Sequence, residues 1–65
     1  MDSRLEGIRI LVVEDDDDTR ELLKVLLETQ GGAVTAVPSV QEALTSYDRS
    51  RPDVIVADIG MTGAA

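Results

Sequence analysis

The hydrophobic residues of this chain fall into three short apolar runs, separated by two longer segments in which they recur with helical spacing. The runs are Ile8–Val13, Ala33–Val37 and Val54–Ala57, and the first of them contains one arginine. Runs rich in Val, Ile and Leu are typical of strands buried on both faces, as in a parallel sheet. The intervening segments carry one-sided apolar stripes, with Leu22, Leu23, Leu26 and Leu27 in the first and Val40, Ala43, Leu44 and Tyr47 in the second. This pattern predicts the order β-α-β-α-β and right-handed crossovers.

The two predicted helices have recognisable ends in the sequence. The acidic run supplies N-cap candidates for the first helix, and among them Asp18 has capping-box spacing with Glu21. The pair Gly31–Gly32 is typical of a left-handed C-cap and is expected to end that helix. Ser39 is expected to cap the second helix, and Pro52 prevents its continuation into the third apolar run.

Carboxylates follow the first and third predicted strands directly. Glu14 and Asp15 begin an acidic run after the first strand, and Asp58 follows the third. Because parallel strands end at the same edge of a sheet, we expect Asp58 to lie beside Glu14 and Asp15. Three converging carboxylates repel one another and raise their own pKa values unless a cation lies among them. The sequence therefore predicts a divalent-metal site at this edge.

The composition limits the chemistry and the partners that the chain can have. The 65 residues include no cysteine and no histidine, and the formal net charge is -7. Disulfides and zinc–thiolate sites are excluded, and so is a histidine base. The net acidity argues against nucleic acid and anionic membrane surfaces as partners. The N-terminus resembles no signal peptide and no run is long enough to span a membrane, so we expect one cytoplasmic domain over 1–65.

Two motifs resemble the response-regulator receiver domain of two-component signalling. Leu11–Asp15 and the amphipathic helix after it look like the first strand and acidic pocket of that family. Pro52–Met61 looks like its third strand and phosphoacceptor loop, and Asp58–Met61 resembles receivers attached to hybrid sensor kinases more than stand-alone regulators. The resemblance extends over residues 7–63. It implies an α/β fold, the β-α-β-α-β half of a flavodoxin-like receiver, with a three-stranded parallel sheet of order 2-1-3.

The resemblance also implies a function and a set of site residues. Asp58 matches the aspartate that accepts a phosphoryl group from a sensor histidine kinase or a phosphotransfer domain. Glu14 and Asp15 match the acidic pair that holds Mg²⁺, and Gly60 matches the position whose backbone carbonyl completes the metal site. A carboxylate nucleophile and an oxygen-ligated magnesium ion are chemically consistent with this role. The chain is then a phosphoacceptor module and not an enzyme.

The chain also departs from the family pattern. The fourth and fifth strands of the family are absent from it. The Ser/Thr that follows the fourth strand and the Lys that follows the fifth, which help bind the phosphoryl group in receivers, are therefore absent as well. We therefore expect a truncated receiver whose third strand forms an exposed apolar edge. Such an edge is a template for pairing with another chain, which predicts a homodimer with antiparallel third strands. The alternative function is a self-associating fragment that keeps the half-receiver fold but has lost productive phosphotransfer.

Each motif taken alone has a simpler interpretation. A run of acidic residues is more often a solvated face or a helix N-terminus than a metal site, and Asp58 alone could be an ordinary turn residue. A nucleotide-binding half-domain is disfavoured, because acidic residues stand where a glycine-rich phosphate loop is needed. An EF-hand is disfavoured as well, because the run lacks alternating ligand spacing and a central glycine. The two motifs together favour the receiver interpretation.

Overall fold

The computed structural model describes residues 4–57 and has the predicted order of elements. The elements are β1 (Arg9–Val13), α1 (Asp17–Thr29), β2 (Ala33–Val37), α2 (Val40–Ser50) and β3 (Val54–Ala57). The sheet has three strands in the order β2-β1-β3, and both of its strand pairs are parallel. The predicted fold class and strand order are thus confirmed. No helix in this described part is long and apolar enough to cross a bilayer.

The core is centred on β1, the middle strand. Residues 10–13 of this strand are all buried. Leu11 and Val13 form a cluster with Val37 of β2 and Ala43 of α2, which places α2 on their face of the sheet. Alternate residues of a strand point to opposite faces, so Ile10 and Val12 point to the other face. That face is covered by α1, which packs on β1 and β2. Burial on both faces explains the unbroken apolar run in β1.

The start of α1 differs from the sequence prediction. The N-cap is Asp16, whose side chain accepts a hydrogen bond from the backbone N–H of Thr19 at 2.8 Å. The predicted cap, Asp18, lies within the first turn of the helix, and its assignment was wrong. Several consecutive acidic residues could cap this helix. The conformation of the preceding loop determines that Asp16 does so, because its N–H donates to the Glu14 carboxylate at 3.0 Å.

The other helix ends follow the sequence. The C-cap of α1 is Gln30, and Gly31 has φ = 96°, the left-handed conformation expected there. Ser39 caps α2 through its hydroxyl, which accepts from the N–H of Glu42 at 3.2 Å. After α2, Arg51 also adopts a left-handed backbone, with φ = 45°, and turns the chain toward β3.

In the described part of the chain, β3 pairs with a neighbouring strand on one side. Within residues 4–57 it packs against β1, and neither helix covers it. Val54 and Ile55 are consequently 46% and 53% exposed. The sequence predicted strands buried on both faces. This prediction is confirmed for β1, and it is wrong for β3 as far as residues 4–57 surround that strand. The expected exposed apolar edge is present there.

Candidate functional site

The carboxyl ends of β1 and β3 lie side by side. Val13 and Ala57 are paired in register on neighbouring parallel strands. Glu14 follows Val13 directly, and Asp58 is the residue after Ala57 in the chain. Asp58 and Gly60 lie outside the described residues, so their predicted places in the site stay predictions. The described strands do have the relative position and direction that the site requires.

Glu14 is buried although it is ionisable. It is 1% exposed, and its backbone N–H donates to the carbonyl of Val37 at 3.0 Å, which fixes it to the end of β2. One carboxylate oxygen, Oε2, accepts from the N–H of Asp16 at 3.0 Å. The other, Oε1, is buried and has no hydrogen-bond partner among residues 4–57. A buried carboxylate oxygen is costly unless it is paired, so this atom marks a place for a cation or a donor.

Asp15 lies next to Glu14 and is exposed. Water and dissolved ions can therefore reach its carboxylate, while the neighbouring Glu14 carboxylate is held from within the protein. Among residues 4–57 no group of three or more metal-ligating side chains converges. The third carboxylate of the predicted site, Asp58, is not in this range. The structure thus places Glu14 and Asp15 at the carboxyl end of β1, the edge of the sheet at which the site is predicted.

Arg20 supports the loop that carries the acidic pair. Its guanidinium donates through Nη1 to the carbonyl of Glu14 at 3.0 Å and through Nη2 to Asp17 at 2.5 Å. Its side chain is 22% exposed, whereas that of Asp17 is 87% exposed, so the guanidinium is largely held against the loop. The sequence analysis missed this residue. The available signal was its position one helical turn after Asp16, since residues of the first turn face back toward the preceding loop.

Hydrogen bonding at the N-cap keeps a further negative charge near this edge. Hydrogen bonds from Thr19 lower the pKa of Asp16 below the ordinary value of 3.8. The bond from the backbone N–H has the larger effect and that from the side chain the smaller one. Asp16 is thus ionised at neutral pH, and it lies at the end of α1 where the helix dipole favours an anion. Its charge is used in capping, which leaves Glu14 and Asp15 as the described candidates for ligands.

These described residues fit a magnesium ion. Mg²⁺ prefers one or two carboxylates together with water and phosphate oxygens. Glu14 offers a buried carboxylate with an unpaired oxygen and Asp15 an exposed one. The position also suits a ligand, because open α/β sheets bind their ligands beyond the carboxyl ends of the strands.

Comparisons with known proteins agree with this geometry. The family model described as the response regulator receiver domain matches residues 10–65. The chain is 48% identical over 57 residues to an uncharacterized 14.6 kDa protein in the sodA1 3′ region of Leptolyngbya boryana, a match covering 88% of the chain and 44% of that protein. No solved structure matches the chain significantly.

Several transcriptional regulators are similar as well. The chain is 43% identical over 54 residues to the transcriptional regulatory protein CseB of Streptomyces coelicolor, which covers 83% of the chain and 23% of CseB. It is 41% identical over 61 residues to the transcriptional regulatory protein PrrA of Mycobacterium tuberculosis, covering 94% of the chain and 26% of PrrA. The chain therefore spans less than half the length of these relatives.

Proposed function

Because the chain belongs to the response-regulator receiver family, we propose that it acts as a phosphoacceptor module of two-component signalling, with Asp58 as the acceptor. The phosphoryl group comes from a sensor histidine kinase or a phosphotransfer domain. The main structural support is the buried Glu14 carboxylate, with its unpaired oxygen, beside the strand that leads to Asp58. In this proposal the whole chain, residues 1–65, forms part of one receiver domain.

In this proposal each site residue has a separate role. A carboxylate oxygen of Asp58 attacks phosphorus, the P–N bond to the donor's imidazole breaks, and the ring leaves with the electron pair and takes up a proton. Glu14, Asp15, Asp58 and the Gly60 carbonyl would hold Mg²⁺, which supplies positive charge against the phosphoryl oxygens. Arg20 keeps the loop that carries Glu14 in place through its bond to the Glu14 carbonyl.

Chemical phosphorylation tests the proposal. The chain is incubated with acetyl phosphate and Mg²⁺, and incorporated phosphate is measured by mass spectrometry before and after hydroxylamine. We expect one hydroxylamine-labile phosphoryl group that is lost in Asp58→Asn and retained in the control Asp18→Asn, in which an exposed aspartate is changed. A label that persists in Asp58→Asn contradicts the assignment of the acceptor.

The alternative proposal is a self-associating fragment that keeps the fold and has lost productive phosphotransfer. The exposed edge of β3 favours it, since Val54 and Ile55 are about half exposed there. The two proposals differ in the labelling experiment. A chain that binds Mg²⁺, measured by calorimetry, and self-associates but takes up no phosphate supports the alternative.

The remaining expectations about partners and location stay part of this proposal. Relatives are named transcriptional regulatory proteins, and one, MtrA of Mycolicibacterium smegmatis, is named a DNA-binding response regulator. For this chain the net charge of -7 predicts no direct contact with nucleic acid, because phosphate backbones repel an acidic surface. A cytoplasmic location stays a prediction.

A further inference from the structure

The backbone carbonyl of Glu14 lies between the two carboxylates that are candidates for metal ligands. It belongs to the peptide unit that joins Glu14 to Asp15, and a peptide unit is planar. A bond that fixes the direction of this carbonyl therefore also fixes the direction in which the chain continues to Asp15. Arg20 makes such a bond, from its Nη1 to the carbonyl oxygen at 3.0 Å.

The loop between β1 and α1 is held from both sides at this point. The N–H of Glu14 donates to the Val37 carbonyl at 3.0 Å, which ties the residue to β2. Its carbonyl accepts from the Arg20 side chain, which ties the same residue to α1. The backbone N–H of Arg20 also donates to the Asp16 carbonyl at 2.8 Å. The unpaired carboxylate oxygen of Glu14 is thus carried by a backbone with a defined direction.

Asp17 orients the Arg20 guanidinium and offsets its charge. Nη2 donates to the Asp17 carboxylate at 2.5 Å, so one arm of the planar fork is on this carboxylate and the other on the Glu14 carbonyl. Because the two side chains carry opposite charges, the pair adds little net charge to the acidic edge. Arg20 can therefore lie near a cation site without strongly repelling the cation.

We propose that Arg20 is a positioning residue for the metal site, a cation that strengthens the binding of another cation, Mg²⁺. It acts by fixing the peptide unit between Glu14 and Asp15, and it is not itself a ligand. This role rests on the metal site of the proposed function. Residues that orient metal ligands in this way typically change the metal affinity by about 10- to 100-fold when they are removed.

Two effects of removing Arg20 have opposite signs. Electrostatics alone predicts that Arg20→Gln binds Mg²⁺ more tightly, because a positive charge is lost and the Asp17 carboxylate is no longer offset. Loss of positioning predicts weaker binding, because the peptide unit is free to turn and the two carboxylates must be ordered when the ion binds. The sign of the change in Mg²⁺ affinity therefore distinguishes the two effects.

Calorimetric titration with MgCl₂ measures this sign. We expect Arg20→Gln to bind Mg²⁺ at least about tenfold more weakly than the wild type. Lys24→Gln is the matched control, because it removes a positive charge from the same helix, where the Lys24 ammonium lies 4.0 Å from the Glu28 carboxylate. The control should stay within about twofold of the wild type, in the direction of tighter binding.

Salt separates charge from position in the same titrations. In 1 M NaCl the screening length is about 3 Å, so the effect of the control substitution should disappear. The weaker binding of Arg20→Gln should persist, since the lost hydrogen bond is a contact within the loop. A loss of affinity in Arg20→Gln that disappears in 1 M NaCl would overturn the positioning role.

Amide hydrogen exchange tests the loop without a metal. The N–H of Asp16 donates to the Glu14 carboxylate at 3.0 Å and should exchange faster in Arg20→Gln, because the loop opens more often. The N–H of Glu42, which donates to the Ser39 hydroxyl at the start of α2, is the control in the same spectrum and should be unchanged. Equal acceleration of the two amides would show a general loss of stability and would overturn the positioning role.

Glu14→Gln separates a failure of this role from a failure of the proposed function. Mg²⁺ binding that is present in the wild type and lost in Glu14→Gln establishes the metal site. If Arg20→Gln then binds Mg²⁺ as tightly as the wild type, or more tightly, the positioning role is overturned and the site remains. A wild-type chain that binds no Mg²⁺ overturns the metal site, and the role of Arg20 with it.

Discussion

At the scale of one residue, Glu14 combines an unfavourable burial with its proposed role as a cation ligand. Of the five carboxylates in the run Glu14–Asp18, this side chain is buried and the others are exposed. Burial of a carboxylate oxygen that has no hydrogen-bond partner among residues 4–57 is unfavourable, so an apolar residue at the end of β1 would be the better choice for stability alone. Asp16, by contrast, has a local role as the N-cap of α1.

The assignment of the N-cap can be tested by paired substitutions. Asp16→Ala removes the acceptor for the N–H of Thr19 and should lower the urea midpoint clearly. Asp18→Ala removes an exposed first-turn carboxylate and should change the midpoint much less. Equal losses in the two variants would show that Asp18 shares the capping role.

Two hydrogen-bonded carboxylates predict how stability depends on pH. The pKa of Asp16 is lowered by the backbone N–H of Thr19, and that of Asp53 by the backbone N–H of Arg9. A lowered pKa contributes stability that is present above the unfolded value, near 3.8, and is lost as the pH falls through the folded value. Urea midpoints should therefore drop most steeply below about pH 4.

The isosteric variant Asp16→Asn is the control for this pH dependence. It keeps an acceptor oxygen for the cap and removes the titration, so its stability should fall less between pH 5 and pH 3, values about one unit on either side of the ordinary carboxyl pKa. An unchanged pH profile would show that Asp16 does not contribute.

At the scale of elements, the loops between strands and helices fix the geometry of the edge. α1 ends at Gln30 because Gly31 turns the chain in a left-handed conformation, and the N–H of Gly31 bonds back to the Glu28 carbonyl. This turn delivers the chain into β2 in register with β1. The register of β2 in turn brings Val37 to the position where it holds Glu14.

Gly31 therefore offers a test of this connection. Its φ of 96° is strained for any residue with a Cβ, so Gly31→Ala should reduce the free energy of unfolding by about 1–2 kcal/mol. The neighbouring exposed Gln30→Ala, at an ordinary φ of -86°, should be nearly neutral. Chemical denaturation of both variants measures the difference, and a neutral Gly31→Ala would contradict the strain argument.

At the scale of the whole molecule, charge and apolar surface are concentrated at different edges of one small sheet. The net charge is -7, and a large part of it follows the carboxyl end of β1. β3 leaves apolar side chains exposed along the lateral edge.

Thermal unfolding in the presence of Mg²⁺ tests whether the acidic edge binds a cation. Mg²⁺ that binds the folded state alone stabilises it by about 1.4 kcal/mol at about ten times its dissociation constant. We expect MgCl₂ to raise the melting temperature more than NaCl of the same ionic strength, which screens charge without occupying a site.

Glu14→Gln is the decisive variant for this cation effect. It should lose the specific response to Mg²⁺, and it should be no less stable than the wild type without metal, because a buried charge has been removed. A wild-type chain that responds equally to the two salts would contradict a metal site at this edge.

The sequence alone determined the order of elements, the parallel sheet, the family and the edge at which the acidic residues gather. These features depend on local periodicity and on the rule that co-directional strands end together, as Val13 and Ala57 do. Asp58 and Gly60 keep their roles as predictions on the same basis.

Only the tertiary structure decided which acid is buried, which one caps α1, and that Arg20 holds the Glu14 loop. Neighbouring acidic residues look alike in a sequence, and their roles diverge only when the chain leaves β1 beside the end of β2.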